Sequence, residues 1–206
     1  MLDLLTHFPE LTPLQLNQFQ KLESIYTYWN ERINVISRKD IHNFYTHHLL
    51  HSLAIAKVIS FNAGHTILDV GTGGGFPGIP LSILFQESNF TLIDAVGKKI
   101  TVVKEVIKEL ELKNVIAEKA RAEEIITKYN FIVSRAVASM PKFIEITKNN
   151  LKKGEKEMGL YYLKGGELEE ELKCFPAAKL FTISDYFKED YFKTKKVVFI
   201  STNHII

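Results

Sequence analysis

The chain has 206 residues, 46% of them apolar and 24% charged, with a formal net charge of +2. That length supports one domain with a sizeable core, and a composition so near the globular average excludes disordered and collagen-like classes. The small basic excess lies after residue 140, so the chain lacks the broad basic footprint of a strong nucleic-acid binder, and charge alone names no partner.

Met1-Leu2-Asp3-Leu4-Leu5 has no basic region and no long apolar run, so no secretory signal is expected. No stretch reaches the roughly 18 apolar residues of a membrane span. The lone Cys174 cannot form an internal disulfide, and a cytoplasmic location is expected.

Thr12-Pro13-Leu14-Gln15 reads as a helix start: a threonine cap, proline in the first turn and a capping-box glutamine. Leu22, Ile25, Tyr26, Trp29 and Ile33 follow at helical spacing and predict one buried stripe. After a polar connection at Asn34–Asp40, a second helix is expected at about 43–60, carrying Leu49, Leu50, Leu53 and Ala56. Residues 1–60 thus read as a helical cap and 61–206 as the main domain.

From Thr66 the pattern changes. Strands are predicted at Thr66–Val70, Phe90–Asp94, Asn114–Glu118, Phe131–Ser134 and Leu160–Leu163, separated by helix-like segments. One helix begins near Gly97, with Ile100, Val103, Ile107 and Leu110 on one face. Such alternation argues for a parallel sheet covered on both faces. Lys179–Ser184 and Val197–Thr202 have no helix pattern between them and predict an antiparallel pair at the end. Cys174, on a late helix, reads as a core residue.

The segment from Asp69 to Pro80, DVGTGGGFPGIP, carries the most chemistry. A buried strand feeds a turn with four glycines among residues 71–75, then a helix opening with Pro77 and Pro80. Glycines admit positive φ and close ligand approach, and first-turn prolines sacrifice no helical hydrogen bond. The free N–H groups of such a turn suit a nucleoside or phosphate. About twenty residues on, Asp94 ends the second strand, where a carboxylate can accept from ribose hydroxyls. Gly73, Gly75 and Gly78 also satisfy the dinucleotide fingerprint, so a nicotinamide-dependent oxidoreductase is the competing reading. An acid two residues before the first glycine, a second acid after the next strand and an antiparallel finish look instead like the class I methyltransferase fold. That is a Rossmann-like, mostly parallel α/β sheet.

Further stretches resemble one family, the ribosomal RNA small-subunit methyltransferase G or glucose-inhibited division protein B family. Besides the glycine segment these are Gly97-Lys98-Lys99-Ile100, Arg121-Ala122-Glu123-Glu124, Ser134-Arg135-Ala136-Val137-Ala138 and Leu163-Lys164-Gly165-Gly166, in the family's order and spacing. Trp29-Asn30, Asn34, His48-Leu49-Leu50 and Ser52-Leu53 fit its N-terminal helices, so the resemblance covers roughly residues 22–172. It implies S-adenosylmethionine as methyl donor. Gly71, Gly73 and Phe76 would contact that donor, Asp94 its ribose and Ala122-Glu123 its adenine edge, with Arg135 in the donor pocket beside the acceptor base. It further implies a guanine N7 of small-subunit (16S) ribosomal RNA as acceptor, free or in an assembling subunit. The chain departs from the family at His47, where arginine is usual, and at His51, where aspartate is usual. No family ion pair there carries over.

The residues narrow the reaction independently. Pyrimidine C5 methylation ordinarily needs a cysteine nucleophile, and Cys174 is misplaced for it. Exocyclic-amine methyltransferases resemble one another in an Asn/Asp-Pro-Pro-aromatic motif where this chain has Ser134-Arg135-Ala136-Val137. Guanine N7 has a free lone pair and loses no proton, so alignment at about 3–3.5 Å replaces a base. Arg135 is the candidate that places the acceptor, through guanine O6 or a phosphate; the alternative is a helix or strand cap ion-paired to a nearby acid. Lys98 and Lys99 stand in a first helical turn, where the macrodipole disfavours cations, so they are read as RNA-phosphate contacts or as solvated lysines paired with acids. Arg121 and Lys164 are further RNA candidates, and Phe76 is either packing or a donor contact. His47 and His51 lie four apart on one helix face, but position 48 lacks the metalloprotease glutamate. No metal site is expected, and the three histidines read as hydrogen-bonded structural residues or as contacts to RNA or cofactor. A non-catalytic RNA-binding assembly protein with this fold is a third reading.

Overall fold

The computed structural model describes residues 2–37, 40–154 and 157–205, so Arg38 and Lys39 of the predicted polar connection lie outside the described residues. Seven strands form one sheet: β1 (Thr66–Val70), β2 (Asn89–Asp94), β3 (Val115–Lys119), β4 (Phe131–Arg135), β5 (Gly159–Gly165), β6 (Lys179–Thr182) and β7 (Lys195–Ser201). Their order is β3-β2-β1-β4-β5-β7-β6. The first five run parallel, and β7 lies antiparallel between β5 and β6. This is the class I methyltransferase arrangement, with the antiparallel final strand that the terminal sequence predicts.

The helices are α1 (Leu2–His7), α2 (Pro13–Asn30), α3 (His51–Leu53), α4 (Gly78–Leu84), α5 (Gly97–Glu109), α6 (Met140–Thr147) and α7 (Glu169–Leu172). Successive strand residues face opposite sides of the sheet, which divides the core in two. Ile67, Phe90, Leu92, Phe131 and Val133 meet α4, α5 and the N-terminal helices. Leu68, Ile93, Ile132, Leu160 and Tyr162 meet α6 through Met140, Phe143 and Ile144.

At the start of α2, Thr12 Oγ1 accepts from the Gln15 N–H at 3.3 Å while Gln15 Oε1 accepts from the Thr12 N–H at 2.9 Å. At its end Asn30 Oδ1 accepts from the N–H groups of Val35 and Ile36, both at 2.9 Å, and turns the chain. Two buried glutamines tie α2 to the main domain. Gln15 Nε2 donates to the carbonyls of Ile83 and Leu84 at the end of α4, and Gln18 Nε2 to that of Leu110 just past α5. Each satisfies helix C-terminal acceptors that have no helical partner. The Tyr26 hydroxyl donates to the Gly74 carbonyl at 2.5 Å, reaching the glycine turn itself.

Three expectations need correction. The helix predicted at 43–60 stops at Lys57 and is not uniform: Phe44–Leu50 is π-helical, His51–Leu53 one α-turn and Ala54–Lys57 a 3-10 turn. Long-range bonds from Arg135 reach this segment at His47 and His48, and apolar spacing carries no trace of them. Cys174 is exposed, in the turn after the four-residue α7; its neighbours Leu172 and Phe175 turn inward instead. On α5, Val102 and Val106 are fully buried, whereas the predicted Ile107 is only half-buried.

Tyr26→Phe is expected to lower stability by about 1–2 kcal/mol, because it strands the buried Gly74 carbonyl. Urea denaturation checks this, and an unchanged midpoint would show that the bond contributes nothing.

Candidate active site

Strands β1, β2 and β4 end side by side where the order reverses between β1 and β4, the position at which open α/β sheets bind ligands. Gly71 (φ +66°) and Gly73 (φ +59°) take left-handed conformations just past β1. A Cβ on Gly71 would sit 2.4 Å from Val137 Cγ2, whereas one on Gly73 would meet nothing within 4 Å and enters open cleft. Asp69 sets the turn from beneath: its Oδ2 accepts from Thr72 Oγ1 at 2.6 Å and from the Gly78 N–H at 2.8 Å. Complete burial raises the Asp69 pKa from 3.8 to about 7, against the lowering effect of those two bonds.

A cleft of about 570 Å³ opens over this turn, lined among others by Gly73, Asp94, Ala122 and Arg135. Asp94 Oδ2 accepts from the Gly73 N–H at 2.9 Å and Oδ1 from the Val96 N–H at 2.8 Å. These bonds fix the carboxylate and leave each oxygen acceptor capacity for a diol. The opposite wall is the loop after β4, where Ala136 has φ +51°. The Tyr162 hydroxyl accepts from the N–H groups of Val137 and Ala138 at 2.7 and 2.8 Å and donates to the Ala138 carbonyl at 3.0 Å. Lys164 donates to the same carbonyl at 2.9 Å and pairs with Glu171 at 2.6 Å. Glu171 also accepts from the Met140 N–H.

A second cavity of about 410 Å³ shares the wall Arg135–Ala138 and is otherwise lined by Asp40, His47, His48, His51, Lys164, Tyr191 and Lys195, among others. Arg135 therefore faces both spaces. It donates from Nη1 to the His47 carbonyl at 2.9 Å, and Nη2 lies 3.1 Å from His48 Nδ1. Its guanidinium stands 5.3 Å from the Phe76 ring centre. Among the described residues it forms no ion pair with a carboxylate, and burial lowers its pKa. The alternative of a strand cap paired to an acid is not what is found.

Asp40 joins the imidazoles, with Oδ1 2.5 Å from His47 Nδ1 and Oδ2 2.8 Å from His48 Nε2. Burial pushes its carboxyl up, but the two imidazole bonds outweigh this and hold it below its usual range. His48 is lowered to about 4 by burial and by Arg135. His51, 4% exposed, bonds the Tyr191 hydroxyl through Nδ1 at 3.2 Å, and burial holds it well below its usual value. Tyr191 in turn stacks on His47 with ring centres 3.8 Å apart.

Among the predicted donor residues, Gly71, Gly73, Phe76, Asp94, Ala122, Glu123 and Arg135 line the larger cleft. Phe76 is only 2% exposed and packs on Tyr26, Phe44 and His48, so most of its surface serves packing. Of the RNA candidates, Lys99 and Arg121 also line that cleft, and Lys164 lines the smaller cavity. Lys98 is exposed and lines neither cavity. Among the described residues neither Lys98 nor Lys99 pairs with an acid. Sequence reasoning missed Asp40, Tyr162, Glu171, Tyr191 and Lys195. Asp40 alone carried a usable signal, an acid just before a histidine-rich helix.

Comparison with known proteins decides the family. Residues 15–198 match the model of the rRNA small subunit methyltransferase G family. The chain belongs to that family. The match runs beyond the 22–172 that the motifs cover, into the C-terminal strands. The ribosomal RNA small subunit methyltransferase G of Flavobacterium johnsoniae is 58% identical over 199 residues, 95% of each chain. That of Bacteroides fragilis strain ATCC 25285 is 48% identical over 202 residues, covering 96% of this chain and 98% of its own. Among solved structures, a SAM dependent methyltransferase from Aquifex aeolicus superposes with a TM-score of 0.54 at 19% identity, covering 73% of this chain and 89% of its own. A precorrin-6y C5,15-methyltransferase from Geobacter metallireducens gives 0.55 at 12% identity, over 81% and 90%. These two share the fold.

The protein is a methyltransferase, and its cofactor is S-adenosylmethionine. The cleft fits such a nucleoside. Gly73 leaves open the space a Cβ would fill, Asp94 offers a fixed carboxylate beside it, and Ala122 lies at the same cleft. When bound, this cofactor supplies an electrophilic methyl group on a sulfonium sulfur. Asp94→Ala is expected to weaken S-adenosylmethionine binding about 10- to 100-fold by calorimetry, the scale of hydrogen bonds to a charged group. Binding within twofold of wild type would remove Asp94 from the site.

Asp69 gives a pH dependence. Its folded pKa of about 7 stands above the unfolded 3.8, so the folded state binds this proton more tightly. The contribution is fully present below about pH 4 and is lost as pH rises through about 7. Relative to the wild type, Asp69→Asn should therefore gain stability between pH 5 and pH 8. Parallel denaturation midpoints for the two proteins across that range would rule the shift out.

Proposed function

We propose that this enzyme transfers the methyl group of S-adenosylmethionine to the N7 of a guanine in small-subunit (16S) ribosomal RNA, free or in the assembling subunit, in the cytoplasm. The observation that carries the reading is the position of Arg135, facing the donor cleft and the smaller cavity at once. Two of its five N–H groups are spent on the His47 carbonyl and His48 Nδ1, leaving three for an acceptor. An arginine bonded to guanine O6 leaves N7 free to meet the methyl carbon.

The chemistry asks for alignment alone, since the N7 lone pair attacks without losing a proton. That agrees with the state of His48, whose two nitrogens are committed to Arg135 and Asp40. Cys174 lines neither cavity, which argues against a cysteine-dependent C5 reaction. Lys164 and Lys195 place positive charge in the acceptor cavity, where a phosphate of the bound strand would meet them. Names of relatives such as the Flavobacterium johnsoniae protein support the RNA substrate.

The test supplies small subunits from cells lacking the gene with labelled donor, then maps the product by borohydride reduction and aniline scission, chemistry specific for N7-methylguanosine. Cleavage at one guanine is expected. Arg135→Gln should reduce methylation about 100-fold or more, as loss of an aligned donor typically does. Label on any atom other than guanine N7 overturns the reading.

A further inference from the structure

Arg135 is the group that reaches the acceptor in the reading above, and what aims it comes from the N-terminal layer. A guanidinium carries only donors and keeps its charge in proteins. His48 Nδ1, 3.1 Å from Arg135 Nη2, must therefore be the acceptor of that contact. The imidazole proton then sits on Nε2 and is donated to Asp40 Oδ2 at 2.8 Å. The contacts thus define the tautomer. In the opposite tautomer two donors would face each other across 3.1 Å and drive the guanidinium off its position.

The supports of this arrangement are themselves built in. His48 is 7% exposed, with Phe44 and Phe76 against its ring at 6.1 and 5.3 Å. It lies in the π-helical turn Phe44–Leu50, which also brings the His47 carbonyl to Arg135 Nη1. π-Helical turns are rare and concentrate at functional sites. Asp40 has a second donor in His47, so its carboxylate is anchored from two sides. Burial and the neighbouring guanidinium keep His48 neutral at physiological pH.

We propose that Asp40 and His48 are a positioning dyad: Asp40 holds His48 as the Nε2–H tautomer, and His48 Nδ1 holds Arg135 aimed at the acceptor guanine. Both residues line the smaller cavity, and the role assigned to them is exerted through Arg135. It predicts a division between two substitutions of one residue. Asparagine places its amide oxygen near the position of Nδ1 and can still accept from Arg135. Glutamine reaches the position of Nε2 and leaves Arg135 without its acceptor. A purely structural histidine would tolerate the two alike, or glutamine better.

Steady-state methylation of small subunits from cells lacking the gene tests this, with donor binding followed by calorimetry to verify the fold. His48→Asn should keep kcat within about threefold, while His48→Gln lowers kcat about 10- to 100-fold with little change in KM for the donor. Asp40→Ala, a change in a half-exposed turn that leaves the core intact, should lower kcat about tenfold. Independently of activity, 15N-detected histidine NMR of the unsubstituted protein should show protonated Nε2 and bare Nδ1 on His48 at pH 7. Equal loss in the two His48 variants, an unimpaired Asp40→Ala, or a protonated Nδ1 overturns the dyad. The inference rests on the proposed function, and the two fail differently. Wild-type enzyme that leaves guanine N7 unmethylated overturns both, whereas N7 methylation with an unimpaired His48→Gln overturns the dyad alone.

Discussion

A half-buried guanidinium still has to be held in place, and the usual partner in a protein is a carboxylate. Arg135 is held otherwise, by a backbone carbonyl, a neutral imidazole nitrogen and the face of Phe76. None of these neutralises it, so the charge remains available to whatever enters the neighbouring cavities. Two of the three holders come from the π-helical turn of the N-terminal layer, and the third from the segment just after the glycine turn. The methyltransferase sheet supplies Arg135 at the tip of β4, but the sheet alone cannot aim it. The N-terminal segment thereby lines the cavity beside Arg135, and its shared core with one face of the sheet holds the two in register.

The same logic governs the donor cleft. Its two walls are irregular loops, each fixed by side chains from elsewhere. Asp69, Asp94 and Tyr26 fix the glycine turn, and Tyr162, Lys164 and Glu171 fix the loop after β4. The walls also touch, because the space a Cβ would need at Gly71 is taken by Val137. A methyl transfer that relies on alignment needs walls that are in place before the substrates arrive. Here hydrogen bonds to main-chain groups provide that rigidity, and Asp94, although it accepts from the Gly73 and Val96 N–H groups, keeps acceptor capacity toward the cleft.

What could be read from the sequence follows from how local each signal is. The glycine turn, Asp94 and the strands that carry them are encoded within short windows, and the structure has them where those windows put them. The capping box of Thr12 and Gln15 spans four residues and is equally plain. The Arg135–His48 contact joins positions 87 apart, and Tyr191–His51 joins positions 140 apart. No periodicity or motif marks such pairs. The π-helical turn Phe44–Leu50 also carries such a contact, since Arg135 reaches the His47 carbonyl and the His48 imidazole there. The exposure of Cys174 is illegible for a different reason: α7 is a single short turn, too brief for apolar spacing to say which side faces inward.

The departures at His47 and His51 show how this chain builds the wall of the smaller cavity. An arginine and an aspartate there would add one charge of each sign. The chain instead stacks His47 on Tyr191 and bonds Tyr191 to His51, and burial, Arg135 and Lys195 keep His51 from taking a proton. The wall is rigid and aromatic, and it brings no carboxylate to compete for the cations beside it. Asp40 lies in the same cavity, but the imidazoles of His47 and His48 occupy it. Lys164 is the one lining cation that shares its charge with an acid, through Glu171, among the described residues. Positive potential therefore concentrates on Arg135 and Lys195. In a chain with a net charge of only +2, the positive charge at this cavity is local and focused rather than spread over the surface.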